Sequence, residues 1–288
     1  MENKNTIWLA SYPKSGNTWF RVFLTNYLGN KEKPAGINEL LPTTIASSRA
    51  LFDEATGLSS SDLSPSEIAF LRPAVYRYMA RNTQGLLFHK IHDANLYMEN
   101  MLPLVPPDIT KGVIYFIRNP LDLTVSFSHH LASPIDETIN HLMDSGFSFC
   151  AKSDRLFNQL EQKLLSWDEH IISWVDQKLF PVCMLRYEDM KSDPFDTFKK
   201  ALLFCGLDID DEKIRKSIQF SDITEMQKQE QESGFQEKPV NAALFFRKGE
   251  IGSWRNELTC KQCQLIIEHH QEMMKRFGYL NDKLEPVY

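Results

Sequence analysis

Short apolar runs alternate along this chain with longer stretches in which apolar and polar positions mix, the rhythm of strands followed by helices. The run "TIWLAS" is rich in β-formers and leads through a loop into "TWFRVFLTNYL", which reads as strand, turn and helix. "GLLFHKI" and "GVIYFI" predict two further strands, and "PVCMLRYE" a fourth. Helix starts are written in capping chemistry. Ser64, Pro65 and Glu67 form a capping box, and Asn119, Pro120 and Asp122 repeat the order of cap, proline and acid. Asp193 and Pro194 open a helix that Gly206 should stop. Residues 29–57 are rich in turn formers and poorly periodic, and predict irregular structure. Residues 133–160, with Pro134, Gly146, Phe147 and Phe149, read as a lid or side wall.

Strands alternating with helices over most of the length predict an α/β protein with a parallel sheet covered on both faces. No repeat or linker divides the pattern, so a single domain, 1–288, is expected. In such sheets ligands bind beyond the carboxyl ends of the strands, which places Arg118, directly after "GVIYFI", at a binding position.

Charge narrows the partners. With 32 Lys+Arg against 38 Asp+Glu the net charge is −6, which disfavours nucleic acid and anionic membrane surfaces. An anion site must then be built locally. No apolar stretch is long enough for a spanning helix and no signal peptide stands at the start, so a soluble cytoplasmic protein is expected. The 5 cysteines are irregularly spaced and read as reduced thiols. Cys260 and Cys263 lack the second pair that, with His269 or His270, a zinc site would need, and no metal is expected.

Three segments seek anions. The loop Lys14, Ser15, Gly16, Asn17, Thr18 sits at a helix N-terminus, where backbone N–H groups and the helix dipole favour negative charge. It is not a Walker A loop, because its lysine precedes its glycine. The second segment, "RNPLDLTVS", sets Arg118 at a strand end and Ser126 inside the next helix. The third, "FFRKGEIGSWRN", gathers Arg247, Lys248 and Arg255 around Gly249 and Gly252. Each alone is equally compatible with an ordinary turn or a solvated surface. A P-loop kinase-like phosphotransferase and a non-catalytic nucleotide-binding protein are the competing classes; the first lacks a clear magnesium-holding acid.

In this order and spacing the three segments resemble the cytosolic sulfotransferase family, from about residue 6 to 260. The resemblance implies a sulfotransferase fold related to P-loop kinases, with 3′-phosphoadenosine 5′-phosphosulfate as sulfuryl donor, no metal, and a small organic acceptor with a hydroxyl or amine. It implies that Lys14, Ser15, Gly16, Asn17 and Thr18 hold the 5′-phosphosulfate, with Trp19 and Tyr187 against the adenine. Arg118, Ser126, Arg247, Lys248 and Gly249 would bind the 3′-phosphate. Ser221 and Ile223 stand where the family places a threonine and a phenylalanine near the base, and Asn17 stands for a threonine. Ser253 replaces an aspartate, and Arg255, Thr259, Cys260 and Gln264 only partly echo the family's dimerisation signature, leaving monomer or homodimer open.

The same resemblance makes His92, in "HKIHD", the base that takes the acceptor's proton, with Lys90 steadying the transferred group and Lys14 the leaving oxygen. His89 points to the opposite strand face and reads as structural. Asp93 replaces the family's leucine and reads as a cap or a solvated carboxylate, with orientation of a polar or cationic acceptor as the alternative. The acceptor site is expected in the variable segments at about 29–57, 133–160 and 230–252, with Phe20 and Phe127 near it; His129 and His130 line it or lie exposed.

Overall fold

The described residues of the computed structural model are 4–29, 32–40, 43–98, 102–151 and 155–288. Among them are seven strands: β1 (Thr6–Ser11), β2 (Thr43–Ile45), β3 (Leu87–Ile91), β4 (Thr110–Ile117), β5 (Ser148–Phe149), β6 (Gln162–Lys163) and β7 (Val182–Arg186). Five form a parallel sheet in the order β2-β3-β1-β4-β7, flanked by helices, and β5 pairs with β6 as a small antiparallel ribbon. This is the α/β architecture with a covered parallel sheet that the alternation of apolar runs predicts.

The chain divides into two compact units. The first comprises Met1–Tyr12, Pro42–Tyr115 and Ser145–Met184, and so holds β1, β2, β3 and the leading parts of β4 and β7. Every residue of β1 and β3 is buried, as expected of strands covered on both faces. Their register pairs Thr6 with Leu87 and Ala10 with Ile91. Trp8 is fully buried, donates its indole N–H to Thr110 Oγ1 at 2.9 Å and stacks on His89 at 5.2 Å, so a polar hydrogen is satisfied inside the apolar layer.

The second unit comprises Pro13–Leu41, Phe116–Asp144 and Leu185–Tyr288. Its core is aromatic. From the helix Asn17–Gly29, Phe20 and Phe23 meet Phe198 at ring distances of 5.7 and 4.4 Å, and Phe20 also meets Phe116 at 5.3 Å. Phe20 is therefore core and not a pocket wall, and Phe127 is equally buried.

The capping signals behave as written: Ser64 and Glu67 form the reciprocal box, Asn119 accepts from Leu121 N, Asp193 accepts from Asp196 N, and Gly206 ends its helix at φ 72°. Two stretches are more ordered than expected. Within 29–57, Thr43, Thr44 and Ile45 pair with Phe88, His89 and Lys90, and Ser48 caps the helix Arg49–Thr56. Within 133–160, the helix Ile135–Met143 buries Thr138, Ile139 and Leu142. The positions 30–31, 41–42 and 152–154 of these stretches lie outside the described residues. The last sheet strand stops at Arg186, so Tyr187 opens the helix Tyr187–Ser192 and is not a strand residue. All five cysteines are thiols.

Candidate active site

The second unit brings the three anion-seeking segments together. In the early loop Lys14 has φ 70° and Gly16 φ 101°. A positive φ is costly for lysine, and such strain collects at ligand sites. Gly16 is required twice over: a Cβ there would lie 3.0 Å from Tyr187 Cδ2 and 3.3 Å from Met190 Cε. Its carbonyl accepts from Phe20 N at 3.1 Å, which opens the helix and leaves the preceding N–H groups without intrahelical acceptors. Gly16→Ala is expected to lower the unfolding free energy by about 1–3 kcal/mol, read by urea denaturation. An unchanged midpoint would show that the loop relaxes around the methyl group.

Ser15 Oγ is buried and lacks a hydrogen-bond partner among the described residues. Buried hydroxyls are normally satisfied, so this one is set for a group that is not part of the chain. Asn17 and Thr18, both buried, fill the first helical turn, and Lys14 Nζ contacts Phe245, 3.2 Å from its carbonyl oxygen and 3.7 Å from its ring centroid.

Arg118 ties the segments to one another. Its guanidinium donates to the carbonyl oxygens of Lys14 at 3.2 Å and Glu250 at 3.1 Å, its Cζ lies 4.1 Å from the Tyr187 ring centroid, and its Nε is buried without a partner among the described residues. Burial raises the Tyr187 pKa, against the opposing effect of Arg118. Tyr187 in turn meets Trp19 edge-on at 6.2 Å. Trp19 and Ile223 pack on a cluster of Val22, Met226 and Phe246, giving an aromatic and aliphatic wall suited to a flat base. Ile223 also lies where a Cβ on Gly249, at φ 63°, would touch it at 3.2 Å. Ser221 is buried and donates to Ile218 O at 3.1 Å, which supports the turn before the helix Ile223–Ser233.

The late loop is fixed at both ends by carboxylates. Buried Asp122 accepts from Gly252 N at 2.6 Å and from Ser253 Oγ and Trp254 N, both at 3.1 Å. Ser253 thus makes a hydrogen bond that an aspartate in its place would turn into repulsion. Glu257 accepts from Arg247 Nη1 at 2.8 Å, from Lys248 Nζ at 2.9 Å and from His129 Nε2 at 3.1 Å. Burial works against that carboxylate's charge, but these three donors hold its pKa down at about 2. Upstream, Glu230 accepts from Phe245 N at 2.7 Å and Phe246 N at 2.9 Å. Ser126 lies half-buried on the helix Pro120–Leu131, one turn before His129, while His130 packs against Phe127 and Phe245. An open cleft of about 460 Å³ borders Lys191, Lys248 and Gly249.

Sequence reasoning missed Asp122 as a loop anchor, and also Glu230 and Glu257. Asp122 is marked in the sequence only as a helix-start acid, and nothing marks the loop contacts of any of the three, because each acts on residues at least nine positions away.

Lys90 and His92 belong to the first unit. Lys90 is a buried strand residue paired with Leu9 and Ile45. His92 follows β3 and is half-buried, with Nδ1 2.8 Å from the carbonyl oxygen of Ser11 and 3.2 Å from Ser11 Oγ. A carbonyl only accepts, so Nδ1 carries the proton and the lone pair of the neutral ring is at Nε2. The other two histidines of this unit are fully buried. Burial lowers the His89 pKa to about 3, and His170, where burial outweighs a bond to His92 O, to about 4. His89 Nδ1 lies 2.6 Å from Thr44 Oγ1, in agreement with a structural role.

The turn after His92 is clamped. His170 Nε2 is 3.0 Å from the His92 carbonyl oxygen and so donates to it, while Tyr115 O–H donates to His170 Nδ1 at 2.8 Å. Trp174 Nε1 donates to Asp93 O at 3.0 Å. Asp93 is neither a cap nor solvated: it is buried and receives both Nη atoms of Arg72, at 2.8 and 2.6 Å. Burial would lower the Arg72 pKa, but Asp93 outweighs it and the net direction is upward.

The family model described as Sulfotransferase domain matches residues 4–278. Sulfotransferase 2A1 of Rattus norvegicus is 27% identical over 169 residues, covering 57% of this chain and 57% of its own length. Cytosolic sulfotransferase 13 of Arabidopsis thaliana is 26% identical over 265 residues, covering 87% of this chain and 71% of its own. The crystal structure of mouse sulfotransferase SULT7A1 complexed with PAP is similar in fold, with a TM-score of 0.59 at 22% identity, covering 96% of this chain and 86% of that one.

Proposed function

The chain belongs to the Sulfotransferase domain family, and from that premise we propose that it moves a sulfuryl group from 3′-phosphoadenosine 5′-phosphosulfate to a hydroxyl or amine of a small organic acceptor. One observation carries the donor assignment: Arg118 joins the carbonyls of Lys14 and Glu250, so that segments 104 and 132 residues apart from it meet around one guanidinium. The solved mouse relative holds PAP, the bisphosphate that the donor leaves behind.

The residues suit such a donor. The partnerless Ser15 Oγ and Arg118 Nε, and the glycine that leaves no room for a Cβ, form a cradle for an anion at a helix N-terminus. Lys14, Ser15, Gly16, Asn17 and Thr18 hold the 5′ end, Trp19, Tyr187 and Ile223 the base, and Arg118, Ser126, Arg247, Lys248 and Gly249 the 3′-phosphate. The bound donor supplies an activated sulfuryl group. Lys14 offsets charge on the leaving oxygen and Lys90 on the transferred group. His92 accepts the acceptor's proton at Nε2, while Ser11 fixes the ring by binding Nδ1.

The acceptor is a small alcohol, phenol or amine, bound by the variable segments at about 29–57, 133–160 and 230–252 within one functional domain. Among the described residues no helix is long and apolar enough to cross a membrane. The proposed place of action is the cytoplasm, as monomer or homodimer.

Thermal melting tests the donor class without knowledge of the acceptor. Adenosine 3′,5′-bisphosphate at a hundred times its dissociation constant is expected to add about 2.7 kcal/mol, and ATP with magnesium much less. Stabilisation by ATP with magnesium alone would return the chain to the phosphotransferases.

A further inference from the structure

Arg247 and Lys248, the two cations proposed to grip the 3′-phosphate, are both bound to an anion of the chain itself. Both donate to the same oxygen of Glu257, Oε1, at 2.8 and 2.9 Å, and His129 takes Oε2 at 3.1 Å. The Glu257 side chain is only 19% exposed, whereas those of Lys248 and His129 are 44% and 49% exposed. Arg247, at 25%, is nearly as covered as the carboxylate, while Lys248 and His129 face outward.

We propose that Glu257 is a built-in competitor of the 3′-phosphate, which sets the affinity of this site for 3′-phosphorylated nucleotides. The inference rests on the donor reading above and goes beyond it.

Three physical points support it. A carboxylate and a phosphate offer the same acceptor oxygens to arginine and lysine, so one substitutes for the other in geometry. The charges also fit exchange. Arg247 and Lys248 bring two positive charges and Glu257 returns one, which leaves the cluster attractive to a phosphate carrying nearly two negative charges. Finally, Glu257 lies at the far end of the same loop, nine residues after Lys248, and loops are where such rearrangement costs least.

The consequence is selective. A nucleotide with a 3′-phosphate must take Arg247 and Lys248 from Glu257, and its net affinity is lowered by the strength of the bonds it displaces. A nucleotide without that phosphate leaves Glu257 in place and is indifferent to it. Donor and bisphosphate product share the 3′-phosphate, so Glu257 weakens both and keeps the product from holding the site.

Calorimetric titration of Glu257→Gln with adenosine 3′,5′-bisphosphate and with adenosine 5′-phosphate tests this. The glutamine keeps the shape and removes the charge. The bisphosphate is expected to bind about tenfold more tightly than to the unaltered protein, and adenosine 5′-phosphate within about twofold. Glu257→Ala is expected to shift the bisphosphate in the same direction, and the melting temperature of each variant without nucleotide confirms that it is folded. Weaker bisphosphate binding by both folded variants would overturn the proposal and make Glu257 a scaffold for Arg247 and Lys248. An equal gain for both nucleotides would overturn it as well, since only general repulsion would have been removed. Failure of the unaltered protein to bind either nucleotide would instead defeat the donor reading, and the inference with it.

Discussion

His92→Ala is expected to lower the turnover of sulfuryl transfer by about a hundred- to ten-thousand-fold, the range that a positioned general base contributes, while adenosine 3′,5′-bisphosphate binds as before. The two readouts separate because every residue proposed to hold the nucleotide lies in the second unit and His92 in the first. His92→Asn sharpens the test. Its amide can still donate to Ser11 O, as Nδ1 does at 2.8 Å, but it has no basic nitrogen. If His92 only anchors the turn, the asparagine variant recovers most of the activity that alanine loses; if Nε2 is the base, both variants are equally inactive. A fall in bisphosphate affinity parallel to the fall in turnover would count against the base and in favour of a structural histidine.

That His92 could be proposed as the base from sequence at all depended on a motif. Composition does not separate His92 from His89, three residues earlier; strand alternation and the motif do, and the structure adds a physical reason: His89 is fully buried with its pKa pushed down to about 3, whereas His92 is half-buried with its tautomer set. The legible parts of the fold were those governed by neighbours in the chain. Ser64, Asn119 and Asp193 each bond a backbone N–H two or three residues on, and such caps are read directly. The strand β2 was not legible, because three residues pair only through their register with Phe88, His89 and Lys90, more than forty positions away. The carboxylates of Asp122 and Glu257 were hidden for the same reason. In a sequence, a charged residue reads as solvated until its partners are known, and here the partners come from other elements.

Asp93 is the most consequential of these concealed charges. Asp93→Ala leaves the Arg72 guanidinium buried with no countercharge, and removing one member of a buried pair costs about 3–5 kcal/mol. For a chain of this size that corresponds to a fall in melting temperature on the order of 10 °C. Arg72→Met should cost a similar amount through the stranded carboxylate. The double variant Arg72→Met with Asp93→Leu removes both charges together, and is expected to be clearly more stable than the sum of the single losses predicts. Additive losses would mean that the 2.6 Å contact is energetically idle and that packing alone is being measured. The pair also bears on catalysis. Asp93 adjoins His92, and their two carbonyls are the ones held by Trp174 and His170. A displaced Asp93 therefore loosens the turn that orients the proposed base, so the folded single variants should lose turnover at temperatures well below their melting points. Bisphosphate affinity, read in the same samples, should stay unchanged, because the residues proposed to hold the nucleotide are in the other unit. Unchanged turnover in a destabilised variant would restrict the Arg72–Asp93 pair to stability and leave the orientation of His92 to Ser11 and His170.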